Sequence, residues 1–292
     1  MISLPTWNRL WLCCSALAPA LALLAAGPGS AGELPEGALP DAVVAGPKHN
    51  FKRAWLARPT TRYGHAILGD GIEAGSLVVE TTCGHRVEHL LDEGHVFEDR
   101  HVRIADLDGD LYAEAIVVLS SVDQGAALAV YSLNGSTCSA ASDLTLKART
   151  PFIGTRNRWL NPAGIADYDG DGKLEVAIVV TPHIGGTLQF WSLDGDKMVL
   201  KAKRYGYSNH AIGARAQGLS ATFKRGSDLL LVLPGADRRS LHQVQLKAGK
   251  ILSSKIADVK TGIRENFSIR PVNDASSVVT LADGTKLNVQ TK

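Results

Sequence analysis

Two apolar runs, "AIVVLS" (Ala115–Ser120) and "VAIVVT" (Val176–Thr181), are each followed after a short turn by an alternating run, "LAVYSL" (Leu128–Leu133) or "LQFWSL" (Leu188–Leu193). Val, Ile and aromatic residues in such short runs, bounded by Gly, Asp and Asn, predict β-strands. Phe190 and Trp191 alternate within one of them, so one of the two rings is expected to pack between neighbouring sheets.

These runs belong to a longer repeat. Laying Val102–Gly135 over Pro162–Gly195 aligns Ile104 with Ile165, Asp106 with Asp167, Glu114 with Glu175 and Leu133 closely with Leu193. The period, 165 less 104, is 61 residues, in the range where self-similarity signals a solenoid, propeller or array. Each copy reads as strand, acidic loop, apolar strand, turn, alternating strand, turn and a further strand such as "LTLKART" (Leu144–Thr150). Four short strands per unit predict an all-β propeller blade rather than a sandwich.

Weaker copies fit the same template. "RYGHAILGD", "SLVVET" and "HRVEHLL" fill its slots in the first unit; "QGLSATF", "DLLLVLPG", "SLHQVQL" and "ILSSKIA" fill them in the fourth. "NFSIRPVN", "SVVTLA" and "KLNVQTK" supply three strands of a fifth. With Leu68, Ile104, Ile165, Leu219 and Ile269 as inner-strand anchors, the expectation is a single propeller of five four-stranded blades over residues 51–292. "FKRAWLAR" (Phe51–Arg58) is the candidate fourth strand of the last blade, closing the ring with both chain ends and leaving only short edges. Six blades and an open β-solenoid are the competing architectures.

Between the first and second strands of the two strong copies lie "DLDGDLYAE" (106–114) and "DYDGDGKLE" (167–175). Their carboxylates, Asp106, Asp108, Asp110 and Glu114 in one and Asp167, Asp169, Asp171 and Glu175 in the other, occupy positions 1, 3, 5 and 9. Four like charges in nine residues are costly without a cation. An all-oxygen donor set completed by the carbonyls of Tyr112 and Lys173 suits Ca²⁺ better than Mg²⁺. Gly109 and Gly170 permit the tight turn, and the apolar run that follows distinguishes these loops from an EF-hand.

The two D-x-D-G-D-x-x-x-E loops with their flanking strands resemble the FG-GAP or VCBS repeats, the calcium-loop blades of integrin α-subunit propellers and of many exported bacterial proteins. The resemblance is strong over about a third of the chain that follows the leader. It implies calcium at the eight carboxylates; because each loop joins the first and second strands of its blade and is fully supplied with oxygen, a structural clamp is expected rather than a catalytic metal with an open coordination position. It also points to a bacterial subgroup whose function is unknown. Departures limit it to two ions: Lys224 and Arg225 stand where a fourth-blade loop would carry acids, and "GDGIEAGS" in the first blade is too short.

Composition adds destination. The N-terminus has one basic residue, Arg9, then an apolar run from Leu10 to Ala26 and the small residues Gly29, Ser30 and Ala31, which predicts a secretory signal over 1–31 followed by a linker over 32–50. Cleavage after Ala26 and retention as an anchor are the alternatives; Leu12 is too bulky for lipidation at Cys13 or Cys14. Beyond the signal no membrane span is expected. Net charge falls from +2 to +1 without Arg9, which does not suggest nucleic acid. Cys83 and Cys138 are then the remaining cysteines, a candidate disulfide in an exported protein or two separate thiols.

Segments leading into inner strands of a propeller gather at one mouth of its channel. Arg100, Asn161, Arg215 and Glu265 would ring that mouth, and Arg158, Trp159, Asn161, His210 and Arg215 are the candidate ligand-binding residues for a carbohydrate or anionic ligand. The plainer reading is that they cap strand ends and fill a wet channel. His65, His101, His183 and His210 lack metal-binding spacing and are expected to be solvated or hydrogen-bonded. No G-x-S-x-G elbow, phosphate loop or H-E-x-x-H motif occurs, so no catalytic residue is assigned. The expected role is a calcium-stabilised binding module at the bacterial envelope, periplasmic or secreted, with a protein, carbohydrate or anionic partner. A hydrolase or lyase built on Arg158, Asn161, His210 and Arg215, or a structural envelope component, are the alternatives.

Overall fold

The β-branched runs and the Gly, Asp and Asn turns between them form antiparallel hairpins throughout. The structure, a computed structural model, describes residues 34–273 and 276–290, and no helix occurs among them. The expected leader, with Cys13 and Cys14, lies outside the described residues.

The first sheet contains β1 (Phe51–Thr60), β2 (Glu73–Thr81), β3 (Arg86–Leu90), β4 (His95–Phe97), β5 (Arg103–Ala105), β6 (Glu114–Ser121), β7 (Gly125–Asn134) and β8 (Asp143–Arg149). It branches: β2 pairs with β1, β3 and β4, and β6 pairs with β4, β5 and β7, which passes on to β8. The second sheet is β9 (Leu160–Ala166), β10 (Glu175–Val180), β11 (Thr187–Asp194) and β12 (Lys197–Tyr205). The third is β13 (Ala221–Arg225), β14 (Asp228–Pro234), β15 (Ser240–Lys247) and β16 (Lys250–Asp258). The fourth has three strands, β17 (Ser268–Asn273), β18 (Ser276–Thr280) and β19 (Lys286–Gln290).

Successive layers pack through the middle strands, whose two faces are both buried. On β6, Ala115, Val117 and Leu119 join a cluster with Phe51, Leu77 and Phe97, while Ile116 and Val118 join Trp159, Leu160 and Trp191. On β10, Val176 and Ile178 face that second cluster; Ala177 and Val179 face Leu231, Leu233 and Val244. On β14, Leu230 and Val232 turn to Phe267, Val279 and Val289. The period-2 alternation of a strand therefore feeds two cores at once, which is why these strands read as continuous apolar runs. Both Phe190 and Trp191 are buried, on opposite faces of β11.

Three expectations need correction. β1 pairs with β2 in the first sheet, Trp55 opposite Val78, and not with the fourth sheet; its short apolar run announces a strand but carries no information about the partner. "RYGHAILGD" forms no strand, because Gly64 and Gly69 break it into turns, and Ile67 and Leu68 instead plug the core beside Trp159. Residues 34–50 are more than a linker: Ala38 and Ala45 bridge to β1, Val43 bridges to His101, and Leu39 and Ala42 are buried. Trp55 on the outer face of β1 is covered by Ala38, Val44 and the guanidinium groups of Arg53 and Arg86, 5.2 and 5.5 Å from the ring centre. Among the described residues, no apolar cluster joins the fourth sheet to the first. Ile104, Ile165 and Ile269 lie in β5, β9 and β17, and Leu219 lies just ahead of β13.

A disulfide joins Cys83, in the β2–β3 turn, to Cys138, between β7 and β8, with their Cα atoms 5.1 Å apart.

Candidate functional site

The acidic loops connect β5 to β6 and β9 to β10, and the same internal bonds shape both. Asp106 accepts the amides of Gly109 and Leu111 at 2.7 and 3.0 Å; Asp167 accepts those of Gly170 and Gly172 at 2.8 and 3.0 Å. Asp110 takes the Tyr112 amide and Asp171 the Lys173 amide. One Glu114 oxygen accepts the Leu107 amide at 2.9 Å, and one Glu175 oxygen the Tyr168 amide at 2.8 Å. Gly109 and Gly170 have φ of 79° and 78°, the left-handed conformation that the turn requires.

This folding brings oxygens of Asp106, Asp108 and Glu114 within 4.8 Å of one another, and likewise those of Asp167, Asp169 and Glu175. Asp110 and Asp171 stand outside these groups of three. Each loop also meets a lysine from the last strand of its four-strand repeat. Lys147 on β8 bonds Asp108 and, at 2.9 Å, Glu114; Lys201 on β12 bonds Asp169 and Asp171, both at 2.9 Å. Burial, with help from neighbouring Asp169 and against the bond from Tyr168, raises the Glu175 carboxyl to about 7. Its second oxygen is buried without a partner. A hard cation fits here: the donors are all oxygen, an ammonium already occupies part of the place, and a carboxylate oxygen is left over. The first loop differs, because Lys147 engages the corresponding oxygen of Glu114.

The candidate ligand residues do not converge. Arg158 and Trp159 line a cavity of about 310 Å³ together with His65, Thr181 and His183. Arg215 lines a different one of about 340 Å³ with Arg100, His101, Arg103 and Gln217. Asn161 is fully buried, its amide donating to the carbonyls of Asn209 and Gln217 at 3.0 and 2.9 Å. His210 is fully buried against Trp159. Glu265 lines a third cavity.

In the cavity around Arg215 every arginine is paired. Arg103 bonds the buried Asp99 at 2.6 Å, Arg100 bonds Asp41 at 2.6 Å, and Arg215 bonds Asp41 and, at 2.6 Å, Asp70. Asp99 also accepts the amides of Arg100, His101 and Val118 and the Gln217 side chain. Burial, helped by Arg103, holds His101 down at about 4.

The residues missed from sequence are those whose partners are distant. Glu98 meets His65 across 33 positions, beyond any spacing rule. Lys147 and Lys201 were missed as well, although the repeated "LKA" of Leu146–Ala148 and Leu200–Ala202 is a signal that could have found them.

No protein-family model matches the chain, and no curated protein matches it. The site must be read from its own chemistry.

Proposed function

We propose that the protein is an exported, calcium-stabilised β-propeller of the FG-GAP or VCBS kind that acts as a binding module at the bacterial envelope. Its face-to-face sheets are the blades, and one ion in each acidic loop clamps β5 to β6 and β9 to β10. The observation that carries this reading is the pair of matched carboxylate clusters, with the buried, unpartnered Glu175 oxygen in the second. When bound, calcium would supply charge neutralisation for Asp106, Asp108, Asp110 and Glu114, and for Asp167, Asp169, Asp171 and Glu175. The Cys83–Cys138 link suits an oxidising compartment. The separation of Arg158 from Arg215, with Asn161 and His210 buried, favours binding over a hydrolase or lyase built on those four residues.

The test is thermal melting in excess calcium against chelator, with bound metal measured in parallel. An ion at a hundred times its dissociation constant adds about 2.7 kcal/mol per site, so the melting temperature is expected to rise by several degrees with two calcium ions bound. An unchanged melting temperature, or an equal response to zinc, would sink the reading.

A further inference from the structure

The cavity beside Trp159 contains chemistry that the calcium loops leave unused. His65 is backed by a fully buried carboxylate: its Nδ1 lies 2.6 Å from Glu98 Oε1, and the other Glu98 oxygen accepts the Ser120 hydroxyl at 2.6 Å. Glu98 thus engages Nδ1, which leaves Nε2 as the ring nitrogen of His65 free to bond a ligand. His183 sits across a second relay. His210 Nε2 lies 2.8 Å from the Ala214 carbonyl, which only accepts, so the His210 proton is on Nε2 and its Nδ1 accepts from His183 Nε2 at 2.9 Å. The His183 ring lies parallel to Trp159, 3° apart in plane. Burial holds both His183 and His210 near 4, so they are uncharged at neutral pH.

Backbone conformation and charge single out the same place. Asn157 and Thr181, with φ of 54° and 49°, line this cavity, and Ala66, with φ of 54°, lies between His65 and Ile67. A β-branched residue in that region is an outlier, and such strain collects at binding and catalytic sites. Arg158 donates only to the neighbouring Asn157 carbonyl, at 3.1 Å, and has no carboxylate partner among the described residues. The three arginines of the cavity around Arg215 are all neutralised. The groups of three metal-binding side chains among the described residues are the two acidic loops, so these imidazoles do not build a metal site.

We infer that this cavity binds a hydroxylated organic anion of monosaccharide size, a sugar acid. Arg158 takes the carboxylate as a guanidinium fork. His65 Nε2 hydrogen-bonds a hydroxyl, and the exposed Ile184 and Ile212 side chains that line the cavity meet the C–H face. At about 310 Å³ the volume is at the small end of ligand cavities. The inference rests on reading the protein as a binding module.

The test is calorimetric titration of the calcium-treated protein with D-glucuronate and with the uncharged methyl glucoside, alongside Arg158→Gln and His65→Gln. One-to-one binding of glucuronate, weakened about tenfold by loss of its charge or by either substitution, with the melting temperature of Arg158→Gln unchanged, is the expected result. A chemical-shift change at the His65 ring nitrogens on adding glucuronate provides a readout independent of the variants. No saturable binding, equal binding of the glucoside, or wild-type affinity in both variants would overturn the inference. Failure here with a calcium-dependent melt intact counts against the ligand site alone; absence of the calcium response counts against the propeller reading.

Discussion

Glu73, the first residue of β2, is a carboxyl group the fold holds against its nature. It is 2 % exposed, and burial first, then the charges of Glu98, Asp70, Asp41 and Asp99, push its pKa up to about 10. An unfolded glutamate ionises near 4.5, so between 4.5 and 10 the folded chain retains a proton that the unfolded chain has lost. The unfolded state then binds fewer protons, and stability falls as pH rises, by about 1.4 kcal/mol per unit. From 4.5 to 7 that amounts to about 3 kcal/mol. Glu73→Gln keeps the shape and removes the titration. The variant is expected to gain about 1–3 kcal/mol at pH 7, more at pH 8, and nothing at pH 4. Urea unfolding at pH 4, 7 and 8 reads the difference directly. A gain that does not vary with pH, or a loss at every pH, would refute the account, because either would mean that Glu73 enters the fold ionised.

Two further outcomes follow from the loops and the cross-link. Lys201→Met removes an ammonium that shares Asp169 and Asp171 with an incoming cation; calcium affinity at that loop is expected to rise about tenfold while stability in chelator falls, and unchanged affinity in a chelator-competition titration would show that Lys201 swings clear. Cys83→Ser opens a cross-link spanning 55 positions and is expected to cost about 4 kcal/mol in urea unfolding under oxidising conditions; an identical midpoint would show that the two thiols are not joined in solution.

What the sequence revealed about the fold depended on whether the signal was local. The strands of the two strong copies, β6, β7, β10 and β11, were legible because burial on one or both faces leaves an apolar pattern inside the strand itself. Pairing was not, because "FKRAWLAR" reads the same whether it adds to the first sheet or the last; Trp55 opposite Val78 decides it through tertiary contact. "RYGHAILGD" has a strand's apolar residues, yet its glycines and the bond from Arg62 to the His95 carbonyl at 2.5 Å hold it as turns. Among candidate ligand residues, Arg158 and Trp159 reach the same cavity. Asn161 lies within β9 and is taken into the protein, and Arg215 is drawn away by Asp41 and Asp70. The His65–Glu98 contact joins segments that no motif connects.

The acidic loops and the histidine cavity stand at opposite ends of the same strands. Glu175 opens β10 and Thr181 follows its last residue; Glu114 opens β6 and Ser120, the partner of Glu98, lies near its far end. At about 3.3 Å per residue Glu175 and Thr181 are about 20 Å apart. Coupling over such a distance requires an element with two arrangements, and a strand packed on both faces between neighbouring sheets has one. A calcium ion held at the Glu175 end would therefore act on the cavity through the folded fraction of the molecule, not through its shape. The two strained residues at the other end, Thr181 and Asn157, need a rigid frame to hold them, and β10, packed on both faces, provides one. On this reasoning the proposed ion and the proposed ligand would use one scaffold separately, the first securing the strand and the second using where it ends.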